Sequence, residues 1–441
     1  MSDPKIDIKS RREASISSLA EQISLLSSQV TSYLSSTGHP EPTFRADSGD
    51  VPVSTEYEAL RARLNDAALD LLRLINGPRN TLRELVFAHY DLAALQVALD
   101  RRFFHHVPLN DDGKATIAEV AEKAGMDQDR TGRVLKFLST HRIFEQVQGE
   151  PDTFKHTALS AVFARDADFH AMAYMQMDDG LKASSETSTM IARSPLAADH
   201  EHHSAFHQRF GISLYTYLEQ YPNKAKQFAQ AMSGWSHIDS QITYLSNSYP
   251  WASIGQGHVV DVGGGSGHIS MALARQFPFL RFTVQDISKT QMLSQADMDL
   301  SDLGSGRVTF QQHDFFQPQP VRDASVFLLR QVLHNYNDAD AVKILSALVP
   351  ALEGCPSTTR LLINDIVLPG SDSGTGAVSK YEEHHLRQVD FSMMVALGAK
   401  QRSKLDFDQL LKKSDKRFEI MNVWRNPLGI GLVEVRLARA L

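Results

Sequence analysis

Asp261-Val262-Gly263-Gly264-Gly265-Ser266-Gly267 follows directly on Val259-Val260, and this is the strongest chemical signal in the chain. The valines suit a buried strand of a parallel sheet. The glycines let the backbone turn sharply and approach a ligand where a Cβ would intrude. A helix is predicted over His268 to Arg275, so its N-terminal amides face the loop. The spacing Asp-x-Gly-x-Gly-x-Gly departs from the Gly-x-Gly-x-x-Gly of dinucleotide loops. A second strand, Arg281 to Asp286, ends in a carboxylate about 20 residues beyond the loop, where an acidic side chain can accept from both ribose hydroxyls. A third, Val308 to Gln312, runs into His313-Asp314-Phe315-Phe316. There Asp314 can receive an adenine amino group and Phe315 can lie against the ring face. The pattern reads as a nucleoside site. Without a Gly-x-x-x-x-Gly-Lys loop, it is not that of a nucleotide triphosphatase.

The elements that must position these groups follow from the remaining apolar runs. Ala324 to Leu329, Arg360 to Ile366, Phe418 to Val423 and Gly431 to Leu437 are four more strands, and amphipathic helical stretches separate the earlier ones. That alternation predicts a doubly wound, Rossmann-like α/β sheet of seven strands. Leu329-Arg330-Gln331-Val332-Leu333-His334-Asn335-Tyr336 leaves the fourth strand at the sheet's carboxyl edge, where open α/β folds place ligands.

Composition excludes several classes. At 441 residues the chain exceeds one typical domain and can build a large core. A net charge of −7 argues against a nucleic-acid partner. Cys355 is the only cysteine, so no intramolecular disulfide can form and a cysteine-built metal site is not expected. No stretch reaches the length of a transmembrane span and the N-terminus lacks a signal-peptide apolar region, so a cytoplasmic protein without a membrane partner is expected.

In the front half, Ile16, Leu19, Ile23, Leu26, Val30 and Tyr33 recur at spacings of three and four, one narrow apolar stripe on a Ser-rich helix. The stripe needs a partner, either its own domain or a second copy of the chain. Residues 37–54 read as a linker, and helices follow over Tyr57 to Ile75 and Leu82 to Leu99. Residues 115–160 read as a winged helix: Ile117 to Ala124, a turn at Gly125, Asp129 to Thr140, then a wing from Ile143 to Val147 and Phe154 to His156. Arg130, Arg133, Lys136 and Arg142 make its second helix basic, but the acidic whole-chain balance speaks against DNA. His200, His202, His203 and His207 cluster, the last two one helical turn apart, a spacing that can hold zinc. No acidic residue completes a recognisable motif, so solvated surface is expected and no metal. Met172, Met175 and Met177, and Met393 with Met394, suit either an adaptable apolar pocket or a core.

On the residues Asp261 to Gly267, Asp286, Asp314-Phe315 and Arg330 to His334, the chain from about residue 85 to its end resembles class I S-adenosylmethionine-dependent methyltransferases. More narrowly it resembles the fungal and plant small-molecule O-methyltransferases. The resemblance implies S-adenosyl-L-methionine as cofactor, with Asp261, Gly263, Gly265 and Gly267 around its methionine end, Asp286 on the ribose, Asp314 and Phe315 on the adenine, and Arg330 facing it. It implies that the winged helix serves homodimerisation and covers a small-molecule substrate, and hence three segments: 1–54, 55–215 and 216–441.

The resemblance also makes His334 the general base for an acceptor hydroxyl, since a phenol near pKa 10 is poorly ionised at neutral pH. Asp365 matches the first acidic position that orients such a histidine. The second falls at Gln401, where the family carries Glu, and the family's His-Asp-Trp is His334-Asn335-Tyr336 here. Glutamine can accept a hydrogen bond but cannot offset positive charge. The leading expectation is O-methylation of an aromatic or polyketide-type secondary metabolite, with Met175, Met394 and His156 near the substrate. A second reading keeps the cofactor unspent and catalyses dehydration or pericyclic cyclisation, with His156, Arg330 and His334 around the substrate. A third is a protein that only binds S-adenosylmethionine.

Overall fold

A computed structural model describes residues 15–110, 113–193, 204–239, 241–287, 306–370, 378–426 and 429–439. They form two compact units, residues 1–170 with 379–381 and residues 171–378 with 382–441, each taken over its described part.

The first unit is helical. Ile16–Thr37 starts at a Ser15–Ser18 capping box and stops at Gly38, whose φ of 73° closes the last turn. Leu19 and Leu26 of its stripe, with Leu34 beside it, are buried where this helix packs against Thr55–Asp100, and Tyr33 Oη lies 2.7 Å from Ser54 Oγ. Of the two partners open to this stripe, the chain's own domain takes it. The long helix Thr55–Asp100 breaks at Gly77, φ 67°, just before Pro78, so the two predicted helices are joined at a kink. Beyond the kink Leu82, Leu85, Val86, Phe87 and Tyr90 remain exposed.

The winged helix forms as its sequence predicts. Strand β1 (Lys114–Thr116) leads through a Thr116–Glu119 capping box into Ile117–Ala124. Gln128–Thr140 follows, then β2 (Phe144–Gln146) and β3 (Thr153–His156), with β3 between the other two and antiparallel to both. Phe144 stacks on Phe104 at 5.3 Å, which fixes the wing on its own helices.

The second unit holds a seven-stranded sheet built from β4 (His258–Val262), β5 (Arg281–Asp286), β6 (Val308–Gln312), β7 (Val326–Arg330), β8 (Arg360–Asn364), β11 (Phe418–Trp424) and β12 (Leu432–Leu437). Two short strands, β9 (Val367–Leu368) and β10 (Arg402–Ser403), pair separately in parallel. The order is β11-β12-β8-β7-β4-β5-β6, with β12 antiparallel to both neighbours and the rest parallel. All five residues of β4 are buried, as expected for a central strand covered on both faces. One face packs Phe327, Leu361 and Val433 against Ile344, Leu348, Phe407 and Leu411; the other packs Val259, Leu328 and Leu362 with Trp251 and Leu273. The chain runs outward through β5 and β6, then returns to place β7 on the other side of β4. This reversal opens a crevice at the carboxyl ends of β4 and β7.

Candidate active site at the carboxyl edge of the sheet

The glycine loop is held from below by its neighbour strand. The Gln285 carbonyl accepts the N–H groups of both Gly263 (2.8 Å) and Gly264 (3.0 Å). The Gln285 amide is itself locked against Gln311 and Gln319 at 2.8 and 3.0 Å. Gly263, Gly265 and Gly267 have φ of 75°, 57° and 78°, a region that L side chains adopt with strain. A Cβ on Gly263 would lie 2.9 Å from Val332 Cγ2, and one on Gly267 2.8 Å from Phe310 Cε1. The loop is thus a cradle that any side chain would fill. Asp261 is buried beneath it, accepting from Ser270 Oγ at 2.6 Å, and burial pushes its carboxyl up to about 6. Asp261 therefore pins the loop to its following helix, His268–Gln276.

Asp286 ends β5 and its Oδ2 accepts the Gly265 N–H at 3.0 Å, which brings the acidic partner onto the loop. Asp314 caps its own turn, accepting the Phe316 N–H at 3.0 Å. Phe315 meets the edge of Tyr336 at 5.7 Å and lies 3.4 Å from the position of a Gly263 Cβ. A diol-accepting carboxylate, an aromatic wall and a side-chain-free backbone thus surround one crevice. These groups fit an adenosyl ligand with an amino-acid end.

His334 sits on the short 3-10 turn Leu333–Asn335 that follows β7. Between strand and turn, Gln331 holds a φ of 52°, an uncommon conformation for a non-glycine residue and one concentrated at functional sites. The His334 Nδ1 lies 3.1 Å from Gln401 Nε2 and 3.6 Å from Asp365 Oδ1. Burial, then the Arg330 and Arg402 guanidiniums, push the imidazole down to about 4. Asp365 is 1% exposed, and burial pushes its carboxyl up to about 7 against the pull of the same two arginines. Burial thus works against charge on both groups, and their 3.6 Å separation is longer than a hydrogen bond.

These shifts have a stability consequence of definite sign. A carboxyl raised in the folded state adds stability below its unfolded pKa, about 3.9, and loses it as pH rises through the folded value. For Asp365 that loss falls between about pH 4 and 7. The depressed His334 acts oppositely, losing stability as pH falls from about 6.5 toward 4. Asp365→Asn is therefore expected to raise the melting temperature above pH 7 and to flatten the decline across that window. Superimposable wild-type and variant melting curves from pH 5 to 8, by calorimetry, would refute the assignment.

Two further residues were invisible to sequence reasoning. Arg402 is 1% exposed, and its guanidinium donates to the Leu333 carbonyl (2.7 Å), the Tyr336 carbonyl (2.9 Å) and Asp338 Oδ1 (2.9 Å). It ties the whole His334 turn to β10. Its only signal was its place beside Gln401. Tyr215, on the helix Leu214–Gln220, exposes 46% of its surface, yet desolvation and then Asp286 raise its phenol. Nothing in its sequence context marked it.

Three further residues were expected near the substrate. His156 belongs to the first unit, buried, with Nδ1 2.8 Å from Ser160 Oγ and Nε2 3.0 Å from the Val107 carbonyl. Both ring nitrogens are thus used in holding that unit together. Met175 ends Ala167–Met175 just before the π-helical turn Gln176–Gly180, and Met394 lies on Lys380–Leu397; both are partly buried in the second unit. His200, His202 and His203 lie outside the described residues. Among the described residues no cluster of three metal-ligating side chains occurs, and no helix is long and apolar enough to cross a membrane. A surface cleft bordered by Gly370, Ser403, Lys404, Asp408, Lys412 and Glu419 shares no residue with the glycine loop.

A seven-stranded sheet with a ligand crevice of this kind defines a class I methyltransferase. The O-methyltransferase domain family matches residues 195–415, and the O-methyltransferase dimerisation domain matches residues 83–166. The chain is 45% identical over 424 residues to the O-methyltransferase sol2 of Alternaria solani, covering 96% of each. Its fold matches the crystal structure of OxaC with a TM-score of 0.74 at 21% identity, over 96% of this chain and 98% of that one. It likewise matches a structure described as a pericyclic reaction enzyme, with a TM-score of 0.71 at 19% identity, over 95% of this chain and all of that one. The chain belongs to the O-methyltransferase family, and it is an S-adenosylmethionine-dependent O-methyltransferase.

Proposed function

We propose that the chain methylates a hydroxyl of a small aromatic or polyketide-type secondary metabolite, with His334 as general base. The observation that carries this reading is the His334 turn. Val332, two residues before the imidazole, packs on the glycine cradle, while Gln401 and Asp365 lie 3.1 and 3.6 Å from Nδ1, so Nε2 is the nitrogen assigned to the acceptor. S-adenosylmethionine, when bound, supplies an electrophilic methyl carbon on a sulfonium. Gly263, Gly265 and Gly267 with Asp261 form its methionine cradle, Asp286 takes the ribose, and Asp314, Phe315 and Arg330 complete the cofactor wall. Met175 and Met394 line the substrate side. The segments 1–54, 55–215 and 216–441 then serve as docking helix and linker, dimerisation and cover, and cofactor domain.

Proton transfer to Nε2 needs the tautomer with hydrogen on Nδ1. With Nε2 of Gln401 against Nδ1, the amide donates and the proton sits on the wrong nitrogen. Turning the amide over presents Oε1, which is otherwise buried without a partner, to accept from Nδ1–H. Asp365 Oδ1 then supports the same hydrogen. His334→Ala is expected to lower kcat by about 100-fold or more while cofactor affinity by calorimetry moves little. Unchanged turnover would remove His334 as base.

Cyclisation without methyl transfer is the second reading, favoured by one observation: Gln401 replaces the second orienting carboxylate. Mass spectrometry separates the two. Methyl transfer gives a product one methyl heavier and an equal amount of S-adenosylhomocysteine; cyclisation gives an isomer or a dehydrated product with the cofactor intact.

The homodimer is assigned to the exposed stripe Leu82, Leu85, Val86, Phe87 and Tyr90, which overlaps the dimerisation match. Contiguous apolar surface of this kind marks an interface. Leu85→Glu is expected to yield monomer by light scattering at micromolar concentration; an unchanged dimer mass would move the interface elsewhere.

A further inference from the structure

We propose that the methyl acceptor is an acidic hydroxyl, a phenol or enol conjugated to an electron-withdrawing carbonyl, that binds largely as its anion, and that Gln401 sets this preference. The proposal rests on the methyl-transfer reading and, for such acceptors, replaces the general-base role of His334 with hydrogen-bond donation.

Arg330 ends β7, and Arg402 reaches in from β10. Both lower the basicity of the imidazole. Asp365 is the carboxylate on the Nδ1 side, 3.6 Å away and itself buried. Asp338 is bonded to Arg402 and Lys400, and Asp390 accepts the Gln401 backbone N–H at 2.8 Å. Gln401 is 3% exposed and neutral, at the position from which a second carboxylate would compensate an imidazolium. A cation formed on His334 would therefore be buried beside two guanidiniums with one reluctant carboxylate in support.

An ordinary phenol would have to put its proton onto that base. An acceptor that has already lost its proton avoids the step, and Arg330, at the carboxyl end of β7, favours negative charge there. His334 then serves mainly as a hydrogen-bond donor through Nε2, which is compatible with the Gln401 amide donating to Nδ1. The methyl carbon–sulfur bond breaks as the oxygen–carbon bond forms, and the anion's charge is cancelled by the sulfonium's. No proton needs a destination within the step.

The test uses the full-length protein and ring-hydroxy acceptors of one chromophoric scaffold, graded from about carboxylic acidity to about pKa 10. Release of S-adenosylhomocysteine gives kcat/KM, and phenolate absorbance on the S-adenosylhomocysteine complex gives binding of the anion. In the wild type kcat/KM is expected to fall by about 100-fold or more from the most to the least acidic acceptor. Gln401→Glu should recover about tenfold on the weakest acids and lose affinity for the anions. The effect of His334→Ala should shrink as acceptor acidity rises. Equal kcat/KM across the series, with neutral phenols bound as tightly as anions, would overturn the proposal and leave methyl transfer standing. Tight anion binding without any methylated product would overturn the transfer reading and keep the anion preference.

Discussion

Arg402→Met is expected to lower unfolding free energy by about 3–5 kcal/mol and kcat by about 100-fold, with a much smaller change in cofactor affinity. The buried guanidinium holds the Leu333 and Tyr336 carbonyls and Asp338. Each orphaned buried carbonyl costs about 1–3 kcal/mol. Because those carbonyls flank His334, the loss also frees the imidazole, and a displacement of about 1 Å is enough to cost about 100-fold in rate. Arg402→Lys keeps the charge but cannot span three acceptors, so it should recover stability more than turnover. If kcat falls less than about threefold in a variant that has lost stability, Arg402 does not set the base geometry.

The second large effect is expected at the cradle. Gly263→Val should weaken S-adenosylmethionine binding by on the order of 100-fold, equivalent to about 2.7 kcal/mol, while the protein stays folded. Holding a β-branched residue at a φ of 75° costs about 1–3 kcal/mol. Its Cβ would also meet Val332 and Phe315, so strain is relieved by moving the loop into the ligand's space. Calorimetric titration checks this, with circular dichroism to confirm folding. Wild-type affinity would remove the loop from the cofactor site.

Much of this arrangement was legible in the sequence, for particular reasons. Val259 to Val262 could only be a central strand, and the glycines after it marked the turn. Asp286 and Asp365 end apolar runs, so their strands carry them to the sheet's carboxyl edge. The winged helix announced the end of its first helix through the turn at Gly125. Other features depend on contacts between distant positions. A buried arginine runs against composition rules, and Arg402 is tolerated only because three acceptors from residues 333–338 converge on it. The loop's dependence on the Gln285 carbonyl is a backbone contact that no side chain encodes. The apolar stripe of the first helix left its partner open, since a stripe specifies burial and not what buries it.

The support of His334 comes from residues 365 and 401–402, whereas the loop, the acidic partner and the aromatic wall all lie between 261 and 336. On the proposed roles, holding the ligand and orienting the base are therefore written in different stretches of the chain. Substitutions around residue 401 can retune or silence the chemistry while the molecule goes on capturing the same cofactor. A lineage built on this plan is free to change its reaction without first losing its reagent.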